Sequence, residues 1–214
     1  MSLSGRTVFL DRDGTLNKKP AEGSYVTKAA DLELLPGAAE AVRILNEAGA
    51  LAVVVTNQRG IARGLMTEDD LANVHRALTR RLASRGAYLD AIYHCPHDIG
   101  QCECRKPEIG MLRRAFDEIP AATQMGAALV GDSDSDIEAA RRAKITAVAI
   151  AERSRCLRLV PDIRAASLLD AMRILERSRP CSVATRKTSI TVTMAEERDT
   201  ADSWPGQRTT GASR

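Results

Sequence analysis

Residues 8 to 17 read VFLDRDGTLN: an apolar run stops at two carboxylates, Asp11 and Asp13, with Gly14 directly behind them. In an extended chain alternate side chains point the same way, so both carboxylates face one side as the chain leaves a sheet, and the glycine permits a tight turn. Unpaired carboxylates are costly to bury, and two so close repel each other unless a cation or a shared proton lies between them. A solvated aspartate pair in a turn is the plain alternative. Asp132 weighs against it, because in ALVGDSDSDIEAARRA it too follows an apolar run directly. Three carboxylates without a histidine suit a hard divalent cation such as Mg²⁺. Asp134 and Ser135 read as N-terminal caps of the helix that follows, where negative charge is favoured. Asp136 reads as a supporting group behind the ligands.

Two other stretches could complete such a site. VVVTNQRGIARG ends an apolar run in Thr56 and Asn57 beside a glycine-containing loop. A hydroxyl, an amide and free backbone N–H groups hold phosphate oxygens well, although an ordinary turn has the same composition. CRKPEIG supplies Arg105, whose guanidinium can fork onto a phosphate, and Lys106, whose ammonium can neutralise a phosphoryl group. Read without its neighbours, Lys106 is equally a surface lysine. Overlapping this stretch, CPHDIGQCEC brings Cys95, His97, Cys102 and Cys104 within ten residues. Three thiolates and an imidazole are a usual ligand set for a closed tetrahedral Zn²⁺ site. Free structural cysteines, or a thiol pair at Cys102 and Cys104, are the alternatives. With all four positions taken such a zinc does no catalysis; it shapes a loop that runs straight into Arg105 and Lys106. His94 reads as a structural or surface residue, and Cys156 and Cys181 have no evident partners.

These residues need elements to hold them. Short apolar runs at Thr7 to Leu10, Leu51 to Val55, Ala127 to Val130 and Ala147 to Ala151 hardly alternate, as buried parallel strands do. Helical patterns lie between them. After Pro36 and Gly37, the residues Ala38, Val42 and Leu45 share a face until Gly49; Thr67 caps a second helix, with Asp70 in the capping-box position and a stripe of Leu71, Val74, Leu78 and Leu82. A third follows Asp134 and a fourth covers roughly Ala165 to Glu176. Strand alternating with helix predicts an α/β fold, a doubly wound and mostly parallel sheet with helices on both faces, whose ligands bind beyond the carboxyl ends of the strands. Asp11 and Asp13, Thr56 and Asn57, and Asp132 all fall at such ends.

The chain has 214 residues, 44% of them hydrophobic, enough for one domain with a real core. With 31 Lys and Arg against 28 Asp and Glu the formal charge is only +3, and aromatics are 3%. Neither bulk electrostatics nor stacking favours nucleic acid as a partner. There is no apolar run of membrane-spanning length and no pattern of a secretory signal, so the expectation is a cytoplasmic protein, a monomer, with no membrane partner. From about Pro180 the chain turns to Thr, Ser and charge without a periodic apolar stripe; residues 1–178 are expected to form the domain and 179–214 a disordered tail, with SITVTM as a possible lone edge strand.

In order, VFLDRDGTLN, VVVTNQ, RKP and VGDSDSD resemble the four motifs of the haloacid dehalogenase superfamily of phosphatases over about residues 7 to 178. The resemblance implies a Rossmannoid fold and an aspartyl-phosphate mechanism. In it Asp11 is the nucleophile, Asp13 the general acid and base, Thr56 a phosphate ligand and Lys106 the phosphoryl-neutralising residue. Mg²⁺ is held by Asp11, Asp13 and Asp132. Cys-x-His followed by Cys-x-Cys-Arg-Lys-Pro narrows the resemblance to the heptose bisphosphate 7-phosphatase and histidinol-phosphate phosphatase group, which carries no large cap domain. Within that group Arg105 and Lys106 contact the substrate phosphate, Asn57 and Gln58 help, and Asn17 with the GSYV loop borders the sugar. TNQRGIARG and RKPEIGML match the heptose side closely, so a small phosphorylated sugar is the expected partner. The short segment between His97 and Cys102 is nearer the histidinol-phosphate form, and Ser133 stands where many heptose enzymes have a lysine. More distant alternatives are a polynucleotide 3′-phosphatase, a phosphoacceptor module and a zinc-binding protein with decayed catalysis.

Overall fold

The computed structural model describes residues 3–21, 23–150 and 157–177. Along the chain run β1 (Thr7–Leu10), α1 (Ala38–Glu47), β2 (Leu51–Asn57), α2 (Glu68–Ala83), β3 (Ala91–Cys95), α3 (Gly110–Glu118), β4 (Ala128–Gly131), α4 (Asp134–Arg142), β5 (Thr146–Ile150), β6 (Ile163–Ala165) and α5 (Leu168–Arg177). The six strands form one sheet in the order β3-β2-β1-β4-β5-β6, with every neighbouring pair parallel.

Alternation along each strand divides the core in two. On one face Val8, Leu10, Ala52, Val54, Ala128 and Val130 meet Val42 and Leu45 of α1, Val74, Leu78 and Leu82 of α2, and Met172 and Leu175 of α5. On the other, Phe9, Val53, Val55 and Leu129 meet Met111 and Leu112 of α3 and Ile137 of α4. Phe9 and Phe116 pack edge to face with ring centroids 5.2 Å apart. Because both faces are covered, the strands read as near-continuous apolar runs. Each fully buried Leu or Val contributes about 1.5–3 kcal/mol.

The strand order also explains where a ligand goes. From β1 the chain crosses to β2 and β3 on one side, then returns to β4, β5 and β6 on the other. The crossovers part beside β1, leaving a crevice beyond its carboxyl end. Register brings the three relevant ends level: Leu10 pairs with Val54 of β2 and with Val130 of β4.

The α/β fold, the parallel sheet and the helices on both faces agree with the sequence reading. Thr67 caps α2, with Asp70 returning the capping-box bond to its backbone N–H at 2.9 Å. Three elements were not anticipated. β3 is a half-exposed edge strand without a continuous apolar run, α3 begins with no side-chain cap, and β6 has only three residues. The helix expected from Ala165 starts at Leu168, because Ile163–Ala165 pairs with β5 instead. The expected tail at 179–214, with SITVTM and Cys181, lies outside the described residues, as does Cys156. Among the described residues no helix is long and apolar enough to cross a membrane.

Candidate active site

Asp11 follows β1 directly, and its backbone N–H donates to the Val130 carbonyl at 2.9 Å, which ties the turn to β4. Lys106 reaches it from the loop between β3 and α3. Lys106 is 3% exposed, and its ammonium spends its three protons on Asp11 Oδ1 (2.8 Å), Asp136 Oδ1 (2.6 Å) and the Val55 carbonyl (2.8 Å). Burial alone would push Lys106 down, but the charges of Asp11 and Asp136 outweigh it and hold the amine above its ordinary range. Burial pushes Asp11 up to about 7, against the pull of Lys106 and with the added repulsion of Asp136 and Asp13.

Asp132 follows β4 and pairs with Lys19 at 2.8 Å. Its carboxylate lies against Gly14, where φ is +89° and a Cβ would overlap it, so glycine serves both the turn and the approach. Gly131 is needed in the same way, since a Cβ there would overlap the Asp136 side chain. The N-cap of α4 is Ser133, whose backbone N–H donates to Asp136 Oδ2 at 3.1 Å. Asp134, expected as a cap, instead accepts the backbone N–H of Leu159 at 2.9 Å. Asp136 is therefore drawn inward, 1% exposed, to meet Lys106.

Asp13 is held differently. Its carboxylate accepts from Arg12 Nη2 (2.8 Å), Asn17 Nδ2 (2.8 Å) and Gln58 Nε2 (3.0 Å). Burial raises its proton affinity, but the Arg12 charge and these donors more than reverse that and hold Asp13 below the usual carboxylate range. Asn17 and Gln58, read from sequence as substrate contacts, are both fully buried and use their amides on Asp13. Asn57 also supports: its amide donates to the Lys106 carbonyl and its oxygen accepts the Lys106 backbone N–H, both at 3.0 Å. Thr56 Oγ1 accepts from Gln58 Nε2 at 2.9 Å, which leaves its own proton to donate. Arg105 Nη1 is buried without a hydrogen-bond partner among the described residues, as a group waiting for an anion would be.

Asp11, Asp13, Thr56, Asn57, Arg105, Lys106 and Asp132 line one cavity of about 300 Å³. Lys19 to Ala21 and Gly23 to Tyr25 complete its lining, and of these Gly23 to Tyr25 belong to the GSYV loop expected beside the sugar. Carboxylate oxygens of Asp11, Asp132 and Asp136 lie within 4.8 Å of one another. That buried, all-oxygen donor set fits a hard divalent cation. Asp13 is not in the group, because its carboxylate is turned to Arg12, Asn17 and Gln58. The four residues read as a zinc site also come together. Cys95, Cys102 and Cys104 place their sulfurs 3.2–3.5 Å apart, and His97 Nδ1 is 3.3 Å from Cys104 Sγ. Those edges are near what four bonds of zinc–ligand length would span.

Sequence reasoning missed Arg12 and Lys19. Alternation turns Arg12 away from Asp11 and Asp13, yet the turn at Gly14 lets its long side chain fold back; Lys19 lies in an exposed loop with no periodic pattern.

A doubly wound parallel sheet with acidic residues gathered beyond its central strands is the arrangement expected of a haloacid dehalogenase-type hydrolase. The family described as HAD-hydrolase-like matches residues 103–155. Over 145 residues the chain is 41% identical to the D-glycero-alpha-D-manno-heptose-1,7-bisphosphate 7-phosphatase of Mycobacterium tuberculosis, covering 67% of this chain and 76% of that one. It is 40% identical over 147 residues to the D-glycero-beta-D-manno-heptose-1,7-bisphosphate 7-phosphatase of Pasteurella multocida, covering 65% and 78%. The crystal structure of D,D-heptose 1,7-bisphosphate phosphatase from B. bronchiseptica, complexed with magnesium and phosphate, superposes with a TM-score of 0.71 at 30% identity, covering 79% of this chain and 97% of that one. The chain belongs to the heptose bisphosphate phosphatase family of haloacid dehalogenase-like phosphatases, and it is an enzyme.

Proposed function

We propose that the protein removes the 7-phosphate of D-glycero-D-manno-heptose 1,7-bisphosphate through an aspartyl-phosphate at Asp11. The observation that carries the reading is the buried Asp11–Lys106 contact at 2.8 Å in a cavity also lined by Thr56, Arg105 and Asp132. The chain's 41% identity to an enzyme named for that substrate supports the choice of sugar. Mg²⁺, held by Asp11 and Asp132, would supply charge screening between the attacking carboxylate and the phosphate, with Asp136 behind them on Lys106.

The chain's own residues supply the rest. Lys106 offsets negative charge as Asp11 approaches phosphorus, and Arg105 Nη1 and the Thr56 hydroxyl donate to phosphate oxygens. An Asp11 oxygen bonds to phosphorus as the phosphorus–sugar oxygen bond breaks, and Asp13 gives its proton to the departing oxygen. For that, one Asp13 oxygen must leave the donors of Arg12 or Gln58 and take up a proton, a change that the negative charge of bound substrate favours. Asp13 then takes a proton from the water that attacks phosphorus, which frees phosphate and restores Asp11. A structural Zn²⁺ on Cys95, His97, Cys102 and Cys104 would fix the loop that carries Arg105 and Lys106. The proposal includes a cytoplasmic location and a monomeric state.

Phosphate release from both anomers of heptose 1,7-bisphosphate and from histidinol phosphate, with Mg²⁺ present, tests the reading. The expected result is a kcat/KM at least about tenfold higher for one heptose anomer than for histidinol phosphate, a difference of about 1.4 kcal/mol in transition-state binding. Preference for histidinol phosphate overturns it.

A further inference from the structure

Arg12 is the largest fully buried side chain in the described structure, and it lies between two candidate catalytic carboxylates in sequence. Two of its nitrogens face Asp13: Nε donates to Oδ1 at 3.1 Å, and Nη2 donates to Oδ1 at 3.1 Å and to Oδ2 at 2.8 Å. The third, Nη1, lies 3.3 Å from His75 Nε2. A guanidinium only donates, so His75 Nε2 must accept and its proton sits on Nδ1. Burial, followed by the charges of Arg12 and His94, pushes His75 down to about 3, which keeps the imidazole a neutral acceptor. His75 is fixed in turn. It stands on the capped helix α2, its ring meets that of His94 edge-on at 5.8 Å, and His94 Nε2 is 2.9 Å from Glu68 Oε2.

We propose that His75 is a positioning residue for the phosphatase reaction: by accepting from Arg12 Nη1 it orients the guanidinium that holds Asp13, and so sets where the Asp13 carboxyl stands in the wall of the cavity. The inference rests on the reading of Asp13 as the proton donor. Without the His75 acceptor, Arg12 Nη1 is left buried and unsatisfied, and the guanidinium must turn to find another partner. Asn17 and Gln58 still reach Asp13, so the carboxylate remains in the site with its direction less closely defined.

Leaving-group dependence separates this role from a merely structural one. An alkoxide leaves poorly without a proton, whereas p-nitrophenolate leaves without help. The quantity to compare is kcat/KM for a sugar phosphate and for p-nitrophenyl phosphate, in Asp13→Asn, His75→Ala, His75→Leu and His75→Gln. General acids contribute about 10²–10⁴-fold, so His75→Ala and His75→Leu are expected to lose about tenfold or more on the sugar phosphate and less than about threefold on the aryl ester. His75→Gln, which keeps an acceptor, should recover most of the loss. Leu fills most of the imidazole volume, so it separates lost packing from the lost acceptor. Equal losses on both esters, or no loss on the sugar phosphate, overturn the proposal. If Asp13→Asn separates the esters and the His75 variants do not, the inference about His75 fails while Asp13 stands. If Asp13→Asn does not separate them, the proton-donor reading fails and this inference with it.

Discussion

Lys106 illustrates how a single charge governs a buried acidic cluster. Its three acceptors leave it no freedom, and two of them, Asp11 and Asp136, would otherwise face each other as uncompensated anions. Removing the lysine and removing the nucleophile should therefore differ in kind. Lys106→Ala is expected to cost about 3–5 kcal/mol of stability in a urea titration, because it strands buried carboxylates. Asp11→Asn takes a charge out of an anion-rich cluster, so it should leave the urea midpoint near or above that of the wild type. Phosphate release by the Asp11 variant should fall by at least about 10³-fold, because a carboxamide does not replace the nucleophile. If the two variants unfold alike and both retain turnover, the pairing of roles assigned to them is wrong. The carboxylates at strand ends and the cysteine cluster stand out by their spacing, whereas Lys106 is distinguished from a surface lysine only by the motifs around it. The supporting roles of Asn17, Asn57 and Gln58 are not legible, because an amide one residue from the site looks the same in sequence whether it turns toward substrate or toward its neighbours.

At the level of elements the loop from Pro96 to Ile109 carries the most consequence. It leaves the edge strand β3, gathers Cys95, His97, Cys102 and Cys104, and delivers Arg105 and Lys106 to the cavity before α3 begins at Gly110. If zinc fixes this loop, Cys104→Ser should lower the zinc content of the purified protein well below one equivalent. It should also reduce kcat/KM for the sugar phosphate about 10- to 100-fold, the range found when the groups around a metal site are disturbed. Metal analysis beside steady-state kinetics reads both, and full activity without zinc would count against the loop's role. A smaller expectation concerns α2, which carries His75: Thr67→Ala removes its capping hydroxyl and should cost about 1 kcal/mol. The four continuous apolar strands and the capped helix were readable in advance because each carries its own local pattern. β3, β6 and α3 were not; a half-exposed edge strand, a three-residue strand and a helix without a side-chain cap acquire their structure mainly from what they pack or pair against.

Across the whole molecule, acidic charge beyond the sheet couples metal binding to stability. Without a cation, Asp11 holds its proton up to about 7 when folded, against an ordinary 3.8. Between those values the folded state binds the extra proton, so stability is fully present below pH 3.8 and is lost as pH rises through about 7. Asp13, held below its ordinary range, has the opposite sign, with stability present at neutral pH and lost only in acid. A divalent cation among the carboxylates would favour ionised Asp11 and abolish the first loss. The expected outcome is a rise in Tm on adding Mg²⁺ to chelator-treated protein that is larger at pH 7.5 than at pH 5.5. A Mg²⁺ effect of equal size at both values would argue against Asp11 as a ligand. Much of this was latent in local order along the chain: Asp11, Thr56 and Asp132 each follow or end an apolar run, and parallel strands must finish on one side of the sheet. What only three-dimensional packing decided is which neighbour each polar group turns to. Side chains remote in sequence were free to compete for the same partners, and it is the meeting of α2 with the β1 turn, and of α4 with the Lys106 loop, that gave Arg12 to His75 and Asp136 to Lys106.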